Sequence, residues 1–464
     1  MQPVTAAEIA NIIGGEIIAG SGAAWVTGVS TDSRSLSIGD LFVALPGERT
    51  DGHKFIPGAL AGAAAAALVS HVSAYLCPPE KAVIRVADTG QALLTLGAWY
   101  RQRFAVRTVA ITGSTGKTTA KDLTAEVLGR RFCTLKNPGN LNTEVGLPLT
   151  LFNLEAHHEV AVLELAMRGP GQIRQLAQVA EPEVGVITNT GVAHIELLGS
   201  QENIARAKGE LLECLPAHGL AVLNGDDPGV RQQAVRSRCP VVYFGLEPGA
   251  DVRGSDIKTD GAMGISFTVN GQCGTGRVQL PLVGSFNVFN ALAAISVGHY
   301  FGLSLDEMAA ALRGVKPGAM RLDVSVRADG TLIIDDAYNA NPVSMRGALE
   351  TMADLALGRR TVAVVGDMLE LGEFAPPAHK EVGRLAAELG VGCLIAAGSW
   401  APDVVQGAVA AGLDQNRAFV CPDAAAAAEV AGREVQPEDV VLVKASRGMQ
   451  FEQVVAMLKQ EGCR

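Results

Sequence analysis

Residues Val106 to Leu128 read VRTVAITGSTGKTTAKDLTAEVL, a glycine-rich turn with a lysine and threonines between an apolar run and a helical pattern. RTVAIT reads as a strand covered on both faces, because such a strand carries a continuous apolar run rather than an alternation. The helix begins near Lys117. The turn Gly113, Ser114, Thr115, Gly116 lets backbone N–H groups converge on an anion, and the positive end of the following helix adds to the attraction. Lys117 supplies a point charge for the β- and γ-phosphates of a nucleotide. Thr118, followed by Thr119, supplies a hydroxyl for Mg²⁺. Ile111 stands where the longer form of this loop has its first glycine, so the pattern is a shortened G-x-x-G-K-T. A chance glycine-rich turn is the bland alternative, and the strand–loop–helix context argues against it.

Working outward, EVAVLELA, EVGVITNTG and GLAVLNGDD repeat the theme of an apolar run ending in a polar loop, with helical patterns such as Glu202 to Leu215 between them. This alternation predicts an α/β fold with a doubly wound, mostly parallel sheet. The segment Pro240 to Pro281 departs from it. GISFTVNGQCGTGRVQLPL is glycine-rich and alternating, which predicts an antiparallel excursion, followed by a helix over Asn287 to Tyr300. A second α/β series starts at Thr331 with TLIIDDAYNANP, RTVAVVGDMLELG, VGCLIAAGS and DVVLVKASRG. Ahead of Val106, DLFVALPG, AAAALVS and KAVIRV are strand candidates of a further unit. Three domains are expected, 1–105, 106–315 and 316–464, since 464 residues exceed one hydrophobic core.

Composition narrows the partners. Apolar residues make up 48% and charged residues 19%, with a formal net charge of -10. That balance argues against non-specific nucleic-acid binding, which needs a basic surface, while leaving room for a local basic pocket. The eight cysteines are scattered with no CxxC pair, so neither a zinc site nor a disulfide framework is indicated, and a reducing cytoplasm fits best. MQPVTAAEIANIIGG lacks the basic start of a signal peptide. The longest apolar run, around Ala61 to Val69, is too short to cross a bilayer and reads as a packed helix, although its end is among the strand candidates; no membrane insertion is expected.

Three polar residues sit where parallel strands end, the usual edge for a site in an open α/β sheet. Glu164 ends VAVLELA and offers oxygen suited to Mg²⁺. His194 lies in TNTGVAHIELLG, and a histidine becomes useful in a two-metal cluster. Lys208 lies on the helix of ENIARAKGELLE. Each also has a plain reading: a capped strand end, a surface histidine, and a solvated helix lysine, or one that contacts phosphate or pairs with Glu210 or Glu213.

Together, TGSTGKTT, LELAMRGPGQI, TNTGVAHIELLGSQENIARAKGELL, GSFNVFNALAA and DDAYNANP resemble the Mur ligases, ATP-dependent enzymes that build the peptide of the bacterial cell-wall precursor. TDSRSLSIGDLFVALPGERTDGHKFI, VVGDMLELG and VLVKASRGMQFEQVV are similar to the last ligase of that series. The resemblance implies a uridine-nucleotide domain, a central ATPase domain and a C-terminal Rossmann-like domain. It implies ligation of D-alanyl-D-alanine to UDP-N-acetylmuramoyl-tripeptide with ATP and Mg²⁺, by a monomer. It places the phosphate loop on Gly113 to Thr119, and Mg²⁺ ligands on Glu164 and His194. It matches Lys208 to a lysine that several members carry as a carbamate. Asn290 matches the adenine-reading asparagine, Arg321 an arginine near the γ-phosphate, and Asp336 a ribose-binding acid. Ser33 and Arg34 match residues near the uridine diphosphate, and Asn142 and Thr143 residues contacting the muramoyl substrate. The chain departs from the family at Ala166, usually glycine, at Gln172, commonly glutamate, and at Arg321, displaced from the usual G-R pair.

Two other readings compete. Folylpolyglutamate synthase shares the ATPase core but not the DSR…DGH stretch, and a partner-coupled ATPase would turn over ATP without a carboxylate substrate. A kinase gives DDAYNANP and VVGDMLELG no obvious place.

Overall fold

A computed structural model describes residues 1–47, 50–71, 76–191 and 195–460. Its largest sheet has nine strands, running from one edge as Thr134–Lys136, Val160–Glu164, Arg107–Thr112, Val184–Ile187, Leu220–Asn224, Val241–Gly245, Val252–Thr259, Ile265–Gly271 and Gly274–Leu280. The first seven pair in parallel. Only the last two joints are antiparallel, so the excursion begins later than the expected Pro240: Val241–Gly245 and Val252–Thr259 still continue the parallel series. The helix Asn287–Tyr300 has the bounds the sequence predicts.

The apolar run in Arg107–Thr112 is needed because both sheet faces are covered. Val109 and Ile111 join a cluster with Leu123 and Val127 of helix Lys117–Leu128 and with Ala291 and Ile295 of helix Asn287–Tyr300. Ala110, one residue out of phase, belongs to another cluster with Leu147, Leu163, Ile187 and Leu223. Helix Lys117–Leu128 is thus clamped against the sheet, and its N-terminus is held at the carboxyl end of the strand before it.

The first sheet has five strands ordered Glu16–Gly20, Ala82–Arg85, Ala66–Val69, Asp40–Val43 and Gly28–Ser30, beside a short pair Val4–Thr5 and Trp25–Val26. Here the expected packed helix over Ala61 to Val69 is corrected. A helix, Ile56–Ala61, ends where that run begins, and Ala66–Val69 is a fully buried strand between two parallel neighbours. Its alanines favour helix locally, but Leu68 and Val69 complete sheet faces, and burial outweighs a propensity worth tenths of a kcal/mol per residue. This unit is fastened to the central one by Tyr100 on helix Thr89–Arg101. The fully buried phenol donates to Leu154 O (3.1 Å) and accepts from Gln2 N (2.8 Å). Arg101 donates to Ala180 O and Val106 O, each at 3.0 Å.

The last sheet orders six strands as Asp323–Val326, Leu332–Asp336, Val440–Lys444, Thr361–Gly366, Cys393–Ala397 and Ala418–Cys421, with only the first antiparallel. Asp336 and Lys444 are register partners at the carboxyl ends of neighbouring strands. The acid of VVGDM, Asp367, accepts from Ser399 N (2.8 Å) and Trp400 N (3.0 Å), which fixes the loop after strand Cys393–Ala397. Among the described residues, no helix is long and apolar enough to cross a membrane.

Candidate active site

The phosphate loop follows strand Arg107–Thr112, with Val160–Glu164 on one side of it and Val184–Ile187 on the other. Gly113 has φ 154°, and a Cβ there would lie 1.9 Å from Thr188 Oγ1; Gly116 has φ 78°, and a Cβ there would lie 2.4 Å from Asn290 Oδ1. Both glycines are therefore set by close approach as well as by backbone conformation. Asn189 shapes the turn, since its Oδ1 accepts from Thr115 N (3.0 Å) and its Nδ2 donates to Thr115 Oγ1 (2.8 Å). Thr188 Oγ1 donates to Thr115 O (2.6 Å), and Ser114 Oγ to Gly191 O (2.6 Å). Helix Lys117–Leu128 then opens with first-turn N–H groups that have no intrahelical acceptor, the donors an anion needs. Lys117 Nζ bends back over the turn to Gly113 O (2.8 Å) and Ser114 O (3.2 Å).

Glu164, 2% exposed, ends the adjacent strand and is gripped at both oxygens: Oε2 accepts from Thr118 Oγ1 and Oε1 from Asn142 Nδ2, each at 2.7 Å. Its backbone is held by Asn137, wholly buried, which accepts from Glu164 N (2.9 Å) and donates to Glu164 O (3.2 Å) and Leu141 O (2.8 Å). Asn137 is held in turn by Lys121, 2% exposed, one turn along the phosphate-loop helix, whose Nζ donates to Asn137 O at 2.8 Å. Neither Asn137 nor Lys121 was singled out from sequence. Asn137 opens NPGNLNTEVG, the stretch that carries Asn142 and Thr143, so the signal lay within reach of those residues.

Lys208 is 2% exposed on helix Gln201–Glu213. Its ammonium has no hydrogen-bond partner among the described residues. The plain reading as a helix-face ion pair fails: Glu210 accepts from Gly171 N and Arg174 N, and Glu213 pairs with Arg174 and Arg236. Burial first, then the nearby Lys117 ammonium, pushes the Lys208 amine well below its ordinary range. Burial also lowers Lys117, which Glu164 pulls back up and Arg321 pushes down.

The C-terminal unit brings Arg321 to this cluster. Met320 and Leu322 on either side of it have φ 57° and 53°, left-handed conformations that cost an ordinary residue of order 1 kcal/mol each. The Arg321 guanidinium lies over the Tyr338 ring, 4.0 Å from its centroid, and Met320 O accepts from Tyr338 N at 3.2 Å. Asp336 Oδ1 accepts from Leu322 N (3.3 Å), and its Oδ2 accepts from Lys444 Nζ (2.5 Å). Burial raises the Asp336 carboxyl, against which Lys444 and then Arg321 pull. A small cavity lined by Thr119, Asp122, Asn287, Val315, Lys316 and Arg321 lies where the two units meet. Asn290 donates to Asn287 Oδ1 (2.9 Å), and Asn287 to Val283 O (2.7 Å), which orients both amides beside Gly116.

The sequence-predicted residues thus fall in two places. Gly113 to Thr119, Asn142, Glu164, Lys208, Asn290, Arg321 and Asp336 share one neighbourhood through the contacts above. Thr143 starts the next turn, its Oγ1 accepting from Gly146 N at 3.4 Å. Ser33 and Arg34 sit in the turn after strand Gly28–Ser30, with no hydrogen bond or ion pair to that cluster among the described residues. There Arg34 chelates Asp32 through Nε (2.9 Å) and NH2 (2.7 Å), which holds the Asp32 carboxyl down at about 2. His194 lies outside the described residues.

Comparison with known proteins gives the family of the chain. Three family models match: "Mur ligase family, catalytic domain" over residues 26–98, "Mur ligase middle domain" over 111–298 and "Mur ligase, glutamate ligase domain" over 320–447. A UDP-N-acetylmuramoyl-tripeptide–D-alanyl-D-alanine ligase from Bacillus subtilis is 36% identical over 93% of this chain and 92% of its own length. A crystal structure of MurF from Acinetobacter baumannii superposes with TM-score 0.89 at 30% identity, covering 99% of this chain and 100% of that one. MurF ligase from Thermotoga maritima, solved in complex with ADP, gives TM-score 0.82 at 30% identity over 94% and 97%. With a glycine-rich turn between strand and helix, a buried acid on the adjoining strand and an arginine delivered by the last unit, the chain belongs to the Mur ligase family.

Proposed function

We propose that this chain is an ATP-dependent amide ligase that joins D-alanyl-D-alanine to UDP-N-acetylmuramoyl-tripeptide, giving the pentapeptide precursor of peptidoglycan. The supporting relatives carry that activity in their names and align with this chain nearly end to end. The observation that carries the chemistry is the convergence of Lys117, Thr118, Glu164 and Arg321 at the carboxyl ends of the central strands. The three units correspond to residues 1–105, 106–315 and 316–464, and the enzyme acts in the cytoplasm as a monomer.

A peptide carboxylate is a poor electrophile. Transfer of the γ-phosphoryl group of ATP to that carboxylate, with ADP as leaving group, gives an acyl phosphate. The free amine of D-alanyl-D-alanine attacks its carbonyl carbon, and the tetrahedral adduct expels inorganic phosphate. Lys117 and the first-turn N–H groups hold the phosphates. Arg321, pinned on Tyr338, faces negative charge on the transferring group. Asn290 reads the adenine edge and Asp336, aligned by Lys444, the ribose. Ser33 and Arg34 meet the uridine diphosphate, and Asn142 and Thr143 the muramoyl group. Closure of the units over the site would exclude water, which would hydrolyse the acyl phosphate.

The donor set fits Mg²⁺: Thr118 Oγ1 and Glu164 Oε2, both hard oxygens, meet at 2.7 Å. These residues, with His194, would hold the cation, which when bound neutralises phosphate charge. Lys208 fits only after modification, because an ammonium repels a cation whereas a carbamate offers two oxygens. Carbamylation needs a neutral amine, which burial favours here.

The test is mass detection of the pentapeptide from ATP, Mg²⁺, UDP-muramoyl-tripeptide and D-alanyl-D-alanine; phosphate release equally fast without the peptide substrates would instead indicate a partner-coupled ATPase. For Lys208, activity of Lys208→Ala should be partly restored by acetate or formate. Rescue by an alkylamine and not by a carboxylate would show that the free ammonium acts.

A further inference from the structure

At the amino end of the central sheet's strands, away from the phosphate loop, Cys133, His157 and His158 come together. One ligand atom from each lies within 4.8 Å of the others. Cys133 precedes the amino end of strand Thr134–Lys136, and the two histidines precede the amino end of Val160–Glu164. The reaction cluster gathers at the carboxyl ends of these same strands, so the two groups are separated by the length of the sheet.

The scaffold under the three side chains is already tied together. Glu159 N donates to Cys133 O (2.9 Å), and Cys133 N donates to Glu159 Oε2 (3.0 Å). His158 N donates to Glu155 O (3.0 Å), closing the turn that carries both rings. The rings lie 4.2 Å apart at 31°, close enough for both to reach one ion. Glu155 Oε2 is 3.2 Å from His157 Nδ1, the carboxylate–imidazole arrangement that holds Nδ1–H and leaves Nε2 a lone pair for a metal. His158 Nδ1 accepts from Glu155 N at 3.0 Å. Ligation through its Nε2 moves that proton to Nδ1 and hands the Glu155 amide to water, a small cost because the bond is solvent-exposed.

We propose that Cys133, His157 and His158 form a binding site for a borderline-soft divalent cation of the zinc class, independent of the reaction centre. One thiolate and two imidazoles are the ligand types such ions select over Mg²⁺. Bonds of about 2.0–2.3 Å bring three ligand atoms within about 4 Å of one another, so the site closes by side-chain shifts of about 1 Å. The fourth position, open on an exposed surface, takes water. On binding, the thiol proton passes to solvent and the sulfur–metal bond replaces it. The cation would clip the start of the edge strand to the turn before the strand that bears Glu164. The CxxC spacing that sequence inspection looks for is absent because the ligands come from two segments joined only by sheet pairing.

The experiment uses the full-length, metal-free protein and Co²⁺ as a spectroscopic probe, with Zn²⁺ as competitor. The expected result is one equivalent of Co²⁺ with a near-ultraviolet thiolate charge-transfer band and tetrahedral visible bands, all displaced by Zn²⁺. Cys133→Ser should abolish the charge-transfer band. His157→Ala and His158→Ala should each weaken binding at least about 10-fold, and Glu155→Gln about 10-fold through His157. Zn²⁺ should also slow alkylation of Cys133, read by mass, while leaving that of the exposed thiol in His157→Ala nearly unchanged. Ligase activity of these variants should equal that of the parent, so a failure of the proposed reaction and a failure of this site are read separately. A thiolate band that survives in Cys133→Ser, or no such band in the parent, overturns the proposal.

Discussion

Asn137→Ala tests whether the acid at the reaction centre is positioned from behind. The substitution removes an acceptor for Glu164 N and donors to Glu164 O and Leu141 O, at a position with no solvent exposure. The Glu164 amide loses its partner outright, and the two carbonyls each lose one. An orphaned buried backbone group costs about 1–3 kcal/mol, so the central unit should lose about 2–4 kcal/mol in all. The Lys121 ammonium keeps its bond to the Asn137 carbonyl, which the substitution spares. Release of the Glu164 backbone loosens the grip of Thr118 and Asn142 on its carboxylate. A misplaced cation ligand should raise the Mg²⁺ concentration needed for half-maximal rate by about 10-fold or more. Asn137→Asp keeps the shape and the acceptor but turns an anion toward two carbonyls and Glu164, and should be worse for Mg²⁺ dependence at similar size. The assays are urea unfolding of parent and variants and initial rates across a Mg²⁺ series. Unfolding within about 0.5 kcal/mol of the parent, no more than a single weak contact, together with an unchanged Mg²⁺ curve, would refute the positioning role.

Lys117→Ala removes the loop's own cation, held over Gly113 O and Ser114 O, and should lower kcat by about 10²-fold or more with folding retained, as measured by steady-state rates and circular dichroism. Gly116→Ala puts a methyl 2.4 Å from Asn290 Oδ1 at φ 78°, so ATP should bind about 10-fold or more weakly by calorimetry, whereas Gly58→Ala, with open space around it and no left-handed backbone, should leave ATP affinity unchanged. His379 is buried, accepts from Met368 N and has its titration pushed below the ordinary 6.5, so the unfolded chain takes up its proton first. Its contribution to stability is complete above that value and is lost as pH falls below it; Trp400, stacked on the ring, reports the loss by fluorescence, and His379→Gln should flatten that limb of the curve.

What the chain's order of residues determined was everything carried by periodicity and by contiguous motifs. The strand–loop–helix at Val106 to Leu128, the parallel runs after it and the helix Asn287–Tyr300 were legible because a two-sided strand and a glycine-bent turn each write a local pattern. Ala61 to Val69 was read both as a packed helix and, at its end, as a strand, because alanine is compatible with either element and only its buried neighbours on both sides decide for strand. Glu164, Thr118 and Arg321 could be named singly, but their meeting depended on strand order: Val160–Glu164 pairs with Arg107–Thr112 although Thr134–Lys136 intervenes in the chain. Lys121 and Asn137, 16 positions apart, carry no motif and became visible only as a buried ammonium facing a buried carbonyl. The same holds for Cys133 with His157 and His158. Hydrophobic pattern is a property of neighbours in sequence, whereas hydrogen bonds and ligand sets are short-ranged in space, and only the sheet's register brings distant residues within their reach.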